Sequence, residues 1–211
     1  YENGYSLYVG IPFCPSICLY CSFGSHPLER WTKRVDEYLD ALCKELTFIR
    51  EEMGERKLTT VYIGGGTPTT LEPEQLRRLL SHIQTTFDFT WVKEYTVEAG
   101  RPDSITREKL QVMKEFPVTR ISVNPQTMNQ KTLDVIGRKH TVEDTVNIFH
   151  MARELGFDNI NMDLIIGLPG EGKEEVAHTL QKVENLHPDS LTIHSLALKR
   201  ATRLNLFKDK Y

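Results

Sequence analysis

Thr59-Thr-Val-Tyr-Ile-Gly-Gly-Gly-Thr-Pro-Thr-Thr-Leu-Glu-Pro-Glu-Gln-Leu-Arg-Arg-Leu-Leu80 carries a strand, a turn and a helix in one continuous run. Residues 59–63 are β-branched and aromatic, the composition of a strand. Gly64, Gly65 and Gly66 let the backbone turn sharply and approach another group with no Cβ in the way. A helix is predicted over 73–87, with Glu72 and Glu74 near its start and Arg77 and Arg78 further along, the order that the helix dipole favours. A glycine triplet by itself is a weak signal, because a tight βα turn needs it as much as a ligand does.

The same alternation extends in both directions, without any repeat of sequence. Upstream, residues 6–11 form a strand that enters a cysteine loop, and 31–53 are helical, with Val35, Tyr38, Leu39, Leu42, Leu46 and Ile49 close to a 3.6-residue period. Downstream, strands are predicted at 94–98, 120–123, 159–166 and 190–196, with helices near 106–115, 142–155 and 173–186. Six strands alternating with helices make a parallel α/β fold, connected by right-handed crossovers. With no reversal of strand order signalled, an incomplete barrel of six β/α units, open on one side, fits better than a doubly wound sheet. Ligand sites of such folds lie beyond the carboxyl ends of the strands, the end at which both the glycine turn and the cysteine loop fall.

Composition narrows the function classes. The chain of 211 residues is 39% hydrophobic and 26% charged, ordinary for a globular protein with an ample core. A formal net charge of −3 argues against a nucleic-acid partner. No stretch approaches the roughly 18 apolar residues of a membrane span, and no signal peptide opens the chain, so a reduced, cytoplasmic setting is the default. The chain starts at Tyr1 and ends in the charged stretch Asp209-Lys210-Tyr211, and is read as one domain over 1–211, a fragment or the ordered part of a longer protein.

Cys14, Cys18 and Cys21 are spaced C-x₃-C-x₂-C in Gly10-Ile-Pro-Phe-Cys-Pro-Ser-Ile-Cys-Leu-Tyr-Cys-Ser-Phe23. Three thiolates suit a cubane iron–sulfur cluster with one iron left open, whereas a closed structural zinc site wants four protein ligands. Pro12 and Pro15 keep this loop from starting as a helix. Phe13, Tyr20 and Phe23 interleave with the cysteines, where they can exclude water from a cluster. A Cys₃His zinc knuckle completed by His26 is the alternative; disulfides would leave an odd thiol. Cys43 reads as a small apolar residue on the buried face of the first helix.

Polar residues repeat the placement of the glycine turn. Glu98 ends the third strand, Gln126 follows the fourth in Ile-Ser-Val-Asn-Pro-Gln, and Asp163 interrupts the apolar run Ile160-Asn-Met-Asp-Leu-Ile-Ile-Gly-Leu-Pro169. A carboxylate within such a strand costs several kcal/mol of desolvation unless it is paired or faces a polar cavity. The structural alternative for Asp163 is to cap a loop or pair with Arg138, and for Arg138 to be a surface residue of the polar turn Gly137-Arg-Lys-His140.

Together the cysteine spacing with an aromatic residue before the last cysteine, the Gly-Gly-Gly-Thr-Pro-Thr loop and the Asn-Met-Asp-Leu-Ile-Ile-Gly-Leu-Pro strand resemble the radical S-adenosylmethionine (SAM) enzymes. Within them the chain is similar to the oxygen-independent coproporphyrinogen III oxidase group, and from Tyr8 to Leu168 its wording matches the HemZ branch best. That resemblance implies an incomplete (β/α)₆ radical SAM barrel with 1–211 as its core domain. It further implies a [4Fe-4S] cluster on Cys14, Cys18 and Cys21 whose fourth iron chelates S-adenosyl-L-methionine. Gly65, Gly66 and Thr67 match the loop that meets the methionine amino group. Glu98, Gln126, Arg138 and Asp163 match positions that fix its carboxylate and the ribose, and Tyr8, Tyr20 and Ala197 fall on further SAM-contact positions. Two SAM molecules can lie near the site in that group, and the division of these residues between them stays open; no further catalytic residue is assigned.

The implied chemistry is one-electron cleavage of SAM to a 5′-deoxyadenosyl radical, hydrogen abstraction from a propionate side chain of coproporphyrinogen III, and loss of CO₂ to leave a vinyl group. The implied electron donor is of the flavodoxin or ferredoxin kind. The oxidase carries a fourth cysteine two residues after the third, where this chain has Phe23, as does the haem-chaperone branch. Haem delivery to apo-proteins, or radical opening of the haem ring, are therefore the alternative tasks.

Overall fold

The structure is a computed structural model that describes residues 2–23, 26–200 and 202–206. Six strands, β1 (Gly4–Ile11), β2 (Lys57–Gly65), β3 (Glu94–Gly100), β4 (Arg120–Gln126), β5 (Ile160–Ile166) and β6 (Ser190–Ser195), form one sheet in the order of the sequence. Every neighbouring pair is parallel. The first and last strands do not pair with each other, which leaves the predicted incomplete barrel. Helices α1 (Val35–Met53), α2 (Pro73–Thr86), α3 (Arg107–Lys114), α4 (Gln130–Val135), α5 (Val142–Glu154) and α6 (Lys173–Glu184) fill the crossovers.

The two faces of the sheet differ because side chains alternate between them along each strand. Leu7, Val9 and Ile11 of β1, Val61 and Ile63 of β2, Val97 of β3, Ile121 and Val123 of β4, and Met162 and Leu164 of β5 are buried under the helices in one core. The residues between them, Tyr8, Tyr62, Glu98, Ser122 and Asp163 among others, line the opposite, concave face. Period-two alternation therefore gives the barrel a polar interior where a closed eight-stranded barrel has a packed one. On β6 the outward-facing Leu191 and Ile193 stay exposed.

Local chemistry explains where the helices start. Pro73 occupies the first turn of α2 and Gln75 Oε1 accepts from the Glu72 amide. Thr106 caps α3 by accepting from the Lys109 amide, and Thr141 and Asp144 form a capping box on α5. The helix predicted from 31 is continuous only from Val35: a single turn at Leu28–Trp31 and a 3-10 turn at Thr32–Arg34 precede it, broken at Trp31 and Arg34, which sit near φ −120° and −112° with ψ close to zero. α4 was not anticipated: six residues with only Thr132 and Leu133 buried carry too short a periodic signal.

Two register shifts shape the carboxyl end of the sheet. One lies between Glu98 and Gly100 of β3 and the other between Val123 and Gln126 of β4. β4 thus runs three residues beyond its predicted end, through Pro125, and Gln126 closes it at φ +71°. A bulge re-aims side chains, and here it turns Asn124 and Gln126 into the concave face.

Candidate functional site

The cysteine loop is built against the glycine turn by main-chain hydrogen bonds. Gly66 N donates to Ile11 O at 2.7 Å and Thr67 N to Phe13 O at 2.8 Å. Such close approach excludes a side chain: a Cβ on Gly66 would stand 2.6 Å from Phe13 O and 2.9 Å from Ile11 O. Gly65 pairs with Ile11 as the last residue of β2 and has φ +107°, so the sharp turn comes one residue later than a strand over 59–63 implies. Phe13 is buried edge-on to Tyr38, whose hydroxyl donates to Gly10 O at 2.5 Å. Further along the loop, Leu19 N donates to Ile136 O at 3.0 Å and Cys21 N to Cys18 O at 3.2 Å.

Cys14 and Cys18 are buried, Cys21 is half-buried, and none is in a disulfide. All three line one cavity of about 770 Å³, within the range of small-molecule sites. Among the described residues no three His, Cys, Asp or Glu side chains stand close enough to hold a single metal ion. Three thiols on one wall of the cavity are the donor set of a cubane, whose three thiolates bind three different irons. His26, the fourth ligand of the zinc alternative, is exposed with its ring against Trp31. Thr67 Oγ1 donates to Cys14 Sγ at 3.5 Å, the kind of outer contact that orients a ligand sulfur.

The remaining sequence-predicted residues, Tyr8, Tyr20, Gly65, Gly66, Thr67, Glu98, Gln126, Arg138, Asp163 and Ala197, line the same cavity. Tyr8 stacks on Tyr62 at 6.0 Å, and the Tyr62 hydroxyl donates to Glu98. Burial pushes the Glu98 carboxyl above its ordinary range; the Tyr62 bond opposes this shift, and the nearby Asp163 adds to it. Burial likewise raises Asp163, which accepts from Asn161 Nδ2 at 2.6 Å, while His194 and Arg120 pull it down. Asn161 is itself held by Ser190 and Thr192, so the amide cannot turn away.

Arg138 is buried, and the expected alternative of a surface arginine does not hold. Its Nη1 donates to Asn124 O at 3.0 Å and its Nη2 to the Tyr20 hydroxyl at 2.8 Å. The pairing considered for Asp163 and Arg138 is absent too, since each bonds elsewhere. Arg138 Nε, Gln126 Oε1, Ser122 Oγ and Asn124 Oδ1 are buried with no hydrogen-bond partner. Four orphaned polar atoms on one wall are costly in a folded protein unless a ligand takes them up.

Two further expectations are corrected. Phe23 does not shield the cysteines: it is 77% exposed, at the rim of the cavity. Cys43 is half-buried on α1 rather than on its buried stripe, which Leu39, Leu42 and Leu46 occupy. Conversely, sequence reasoning passed over Tyr62, Asn161 and Arg101. Strand parity exposes the first two: Asn161 stands two residues from Asp163, and Tyr62 two residues from Gly64, where an added Cβ would meet the Tyr62 ring and Glu98. Arg101, directly after the strand-ending Gly100, had only its position to recommend it.

The donor set can serve a sulfonium amino acid at an iron–sulfur cluster. The amides of Gly66 and Thr67 are already taken by Ile11 and Phe13, so the loop is no nest for a phosphate, and carbonyl oxygens are what it offers an ammonium group. Arg138 offers the opposite charge for a carboxylate. Glu98 and Asp163 offer acceptors for hydroxyls.

Comparison with known proteins is consistent with this geometry. A family model, the radical SAM superfamily, matches residues 8–183. The chain is 47% identical over 209 residues to an oxygen-independent coproporphyrinogen-III oxidase-like protein HemZ of Bacillus subtilis, covering 98% of this chain and 42% of that protein. It is 38% identical over 198 residues to the heme chaperone HemW of the same organism, covering 93% and 52%. Among solved structures, coproporphyrinogen III oxidase (HemN) from Escherichia coli superposes with a TM-score of 0.82 at 29% identity, over 97% of this chain and 51% of that one. The chain thus spans about half the length of the curated relatives it matches.

Proposed function

Because this chain belongs to the radical SAM superfamily, we propose that it is the cofactor-binding core of an anaerobic oxidoreductase of tetrapyrrole metabolism that acts on coproporphyrinogen III. The observation that carries this is the shared cavity: three thiols, a glycine turn pressed onto them, and a polar wall with four unsatisfied atoms. The cofactors are a [4Fe-4S] cluster, held by Cys14, Cys18 and Cys21, and SAM. Together they supply one-electron cleavage of a C–S bond and a carbon radical that removes a hydrogen atom from the substrate.

The chain's own residues bind, orient and exclude water. Gly65 and Gly66 receive the methionine amino group on backbone oxygen, and Thr67, whose own carbonyl is taken by Thr70, fixes the end of that loop against Cys14. Arg138, clamped by Tyr20 and the Asn124 carbonyl, holds the carboxylate. Gln126 adds an acceptor, while Glu98 and Asp163 take the ribose hydroxyls, each fixed in place by Tyr62 or Asn161. Tyr8, stacked on Tyr62, and Ala197 close the sides. No helix among the described residues is long and apolar enough to cross a membrane; the setting proposed is cytoplasmic, with a flavodoxin or ferredoxin as electron donor.

Anaerobically reconstituted protein, with SAM and a reductant, is expected to convert coproporphyrinogen III to its vinyl product. An intact cluster and SAM cleavage without any decarboxylated tetrapyrrole would remove that substrate. Phe23, standing where the oxidase has a fourth cysteine, favours a second reading as a haem chaperone. Stoichiometric haem binding followed by transfer to an apo-acceptor, with no net product, is the result that selects it.

A further inference from the structure

Beside Cys18 lies a cation that the cofactor-binding set does not use. Arg101 follows β3 directly and is 3% exposed. Its Nε and Nη2 donate to the two oxygens of Asp103 at 2.9 and 2.7 Å, a two-pronged pair that fixes the guanidinium plane. The third nitrogen, Nη1, is thereby aimed at the cysteine loop, where it donates to Ser16 O at 3.0 Å and Ser16 Oγ at 2.8 Å and stands 3.8 Å from Cys18 Sγ. Ser16 Oγ in turn donates to Gly137 O at 3.4 Å, beyond the end of α4.

We propose that Arg101 is a positioning residue with two consequences for the same loop, the second of which rests on the cluster assignment above. In the protein without a cluster, its bonds to Ser16 and Cys18 hold the middle of the C-x₃-C-x₂-C segment in shape, so the thiols are placed before iron arrives. In the loaded protein, a buried guanidinium against the Cys18 thiolate stabilises the more negative, reduced cluster and raises its reduction potential. Asp103 acts through Arg101: it sets the direction of Nη1 and balances its charge, which a buried cation needs. Lysine could supply the charge but not three directed donors.

The test compares Arg101→Lys, Arg101→Gln and the double variant Arg101→Gln/Asp103→Asn, which removes both members of the charge pair and so leaves no unpaired charge in the fold. Amide hydrogen exchange at Leu19 and Cys21 in the cluster-free protein reads the first consequence. Exchange faster by roughly tenfold or more is expected in both glutamine variants, as for the loss of a buried hydrogen-bonded anchor. An EPR-monitored redox titration after anaerobic reconstitution reads the second, with a more negative potential expected in the glutamine variants and a smaller shift in Arg101→Lys. Unchanged exchange and unchanged potential in the double variant would overturn the proposal. Failure of the parent protein to take up iron and sulfide would overturn the cluster assignment instead, and with it the second consequence. The exchange experiment would still decide the first.

Discussion

Gly66→Ala is the substitution that most directly tests how the two loops are joined. A Cβ at this position would meet three backbone atoms, Phe13 O at 2.6 Å, Ile11 O at 2.9 Å and the Pro12 carbonyl carbon at 3.0 Å. Ordinary contact begins near 3.4 Å, so the cysteine loop must retreat by about 0.8 Å from its nearest atom. Backbone cannot swing aside as a flexible side chain can. The retreat stretches two hydrogen bonds, Gly66 N to Ile11 O and Thr67 N to Phe13 O. Overpacking costs about 1–3 kcal/mol and each of the two weakened bonds about 1 kcal/mol, which gives a loss of roughly 3–5 kcal/mol. Urea denaturation of the cluster-free protein should show a lower midpoint with an unchanged slope, and anaerobic reconstitution should give substoichiometric iron. Gly10→Ala is the control: its Cβ meets only the Tyr8 ring, at 3.6 Å. Equal midpoints for the two variants, with full iron uptake in Gly66→Ala, would refute the close-approach argument.

The other expectations concern charge, ligands and one buried amine. Asp163→Asn should weaken SAM binding about ten- to a hundredfold, the loss of a charge-assisted hydrogen bond of about 1.5–3 kcal/mol, measured by equilibrium binding to the reconstituted protein. Burial raises the carboxyls of Glu98 and Asp163, so their contribution to stability is greatest below the unfolded values near 4.5 and 3.8 and is lost as pH rises through the folded ones. The ligand-free Glu98→Gln/Asp163→Asn variant should consequently gain thermal stability over the parent at neutral pH and lose that advantage in acid. Alanine at Cys14, Cys18 or Cys21 should abolish the cluster and reductive SAM cleavage, whereas Cys43→Ala should spare both, as read by iron and sulfide content. Lys109→Met should lower stability by about 1–3 kcal/mol in urea denaturation, because Lys109 Nζ satisfies Thr69 O at 2.7 Å and Ser104 O at 3.3 Å in a buried position.

Much of this architecture is legible because it rests on short-range alternation. The strands are runs of β-branched and aromatic residues, and their order requires only that each helix return the chain in the usual hand. Gly66 and Asp163 stand out by composition, a glycine triplet and a charge in an apolar strand. What escapes the sequence depends on contacts between distant segments. The bulge that turns Asn124 and Gln126 inward is a shift of register between β4 and β5, strands that are distant in the chain. Phe23 reads as a shield from its place among cysteines, yet the path of the loop turns it to the rim. Arg101 gains its significance only from Ser16 and Cys18, more than eighty positions earlier in the chain.

The unsatisfied atoms of Arg138, Gln126, Ser122 and Asn124 bear on the abundance of the protein as well as on its affinity for a ligand. A wall of this kind makes the empty fold the weaker partner in a linked equilibrium: whatever satisfies those atoms binds the native state and not the unfolded chain. Stabilisation then grows with the logarithm of ligand concentration, by about 2.7 kcal/mol at a hundred times the dissociation constant. A degradation system that samples unfolded chains would accordingly remove this protein faster when its ligand is scarce. On these terms the steady-state level of the folded chain should rise and fall with ligand supply.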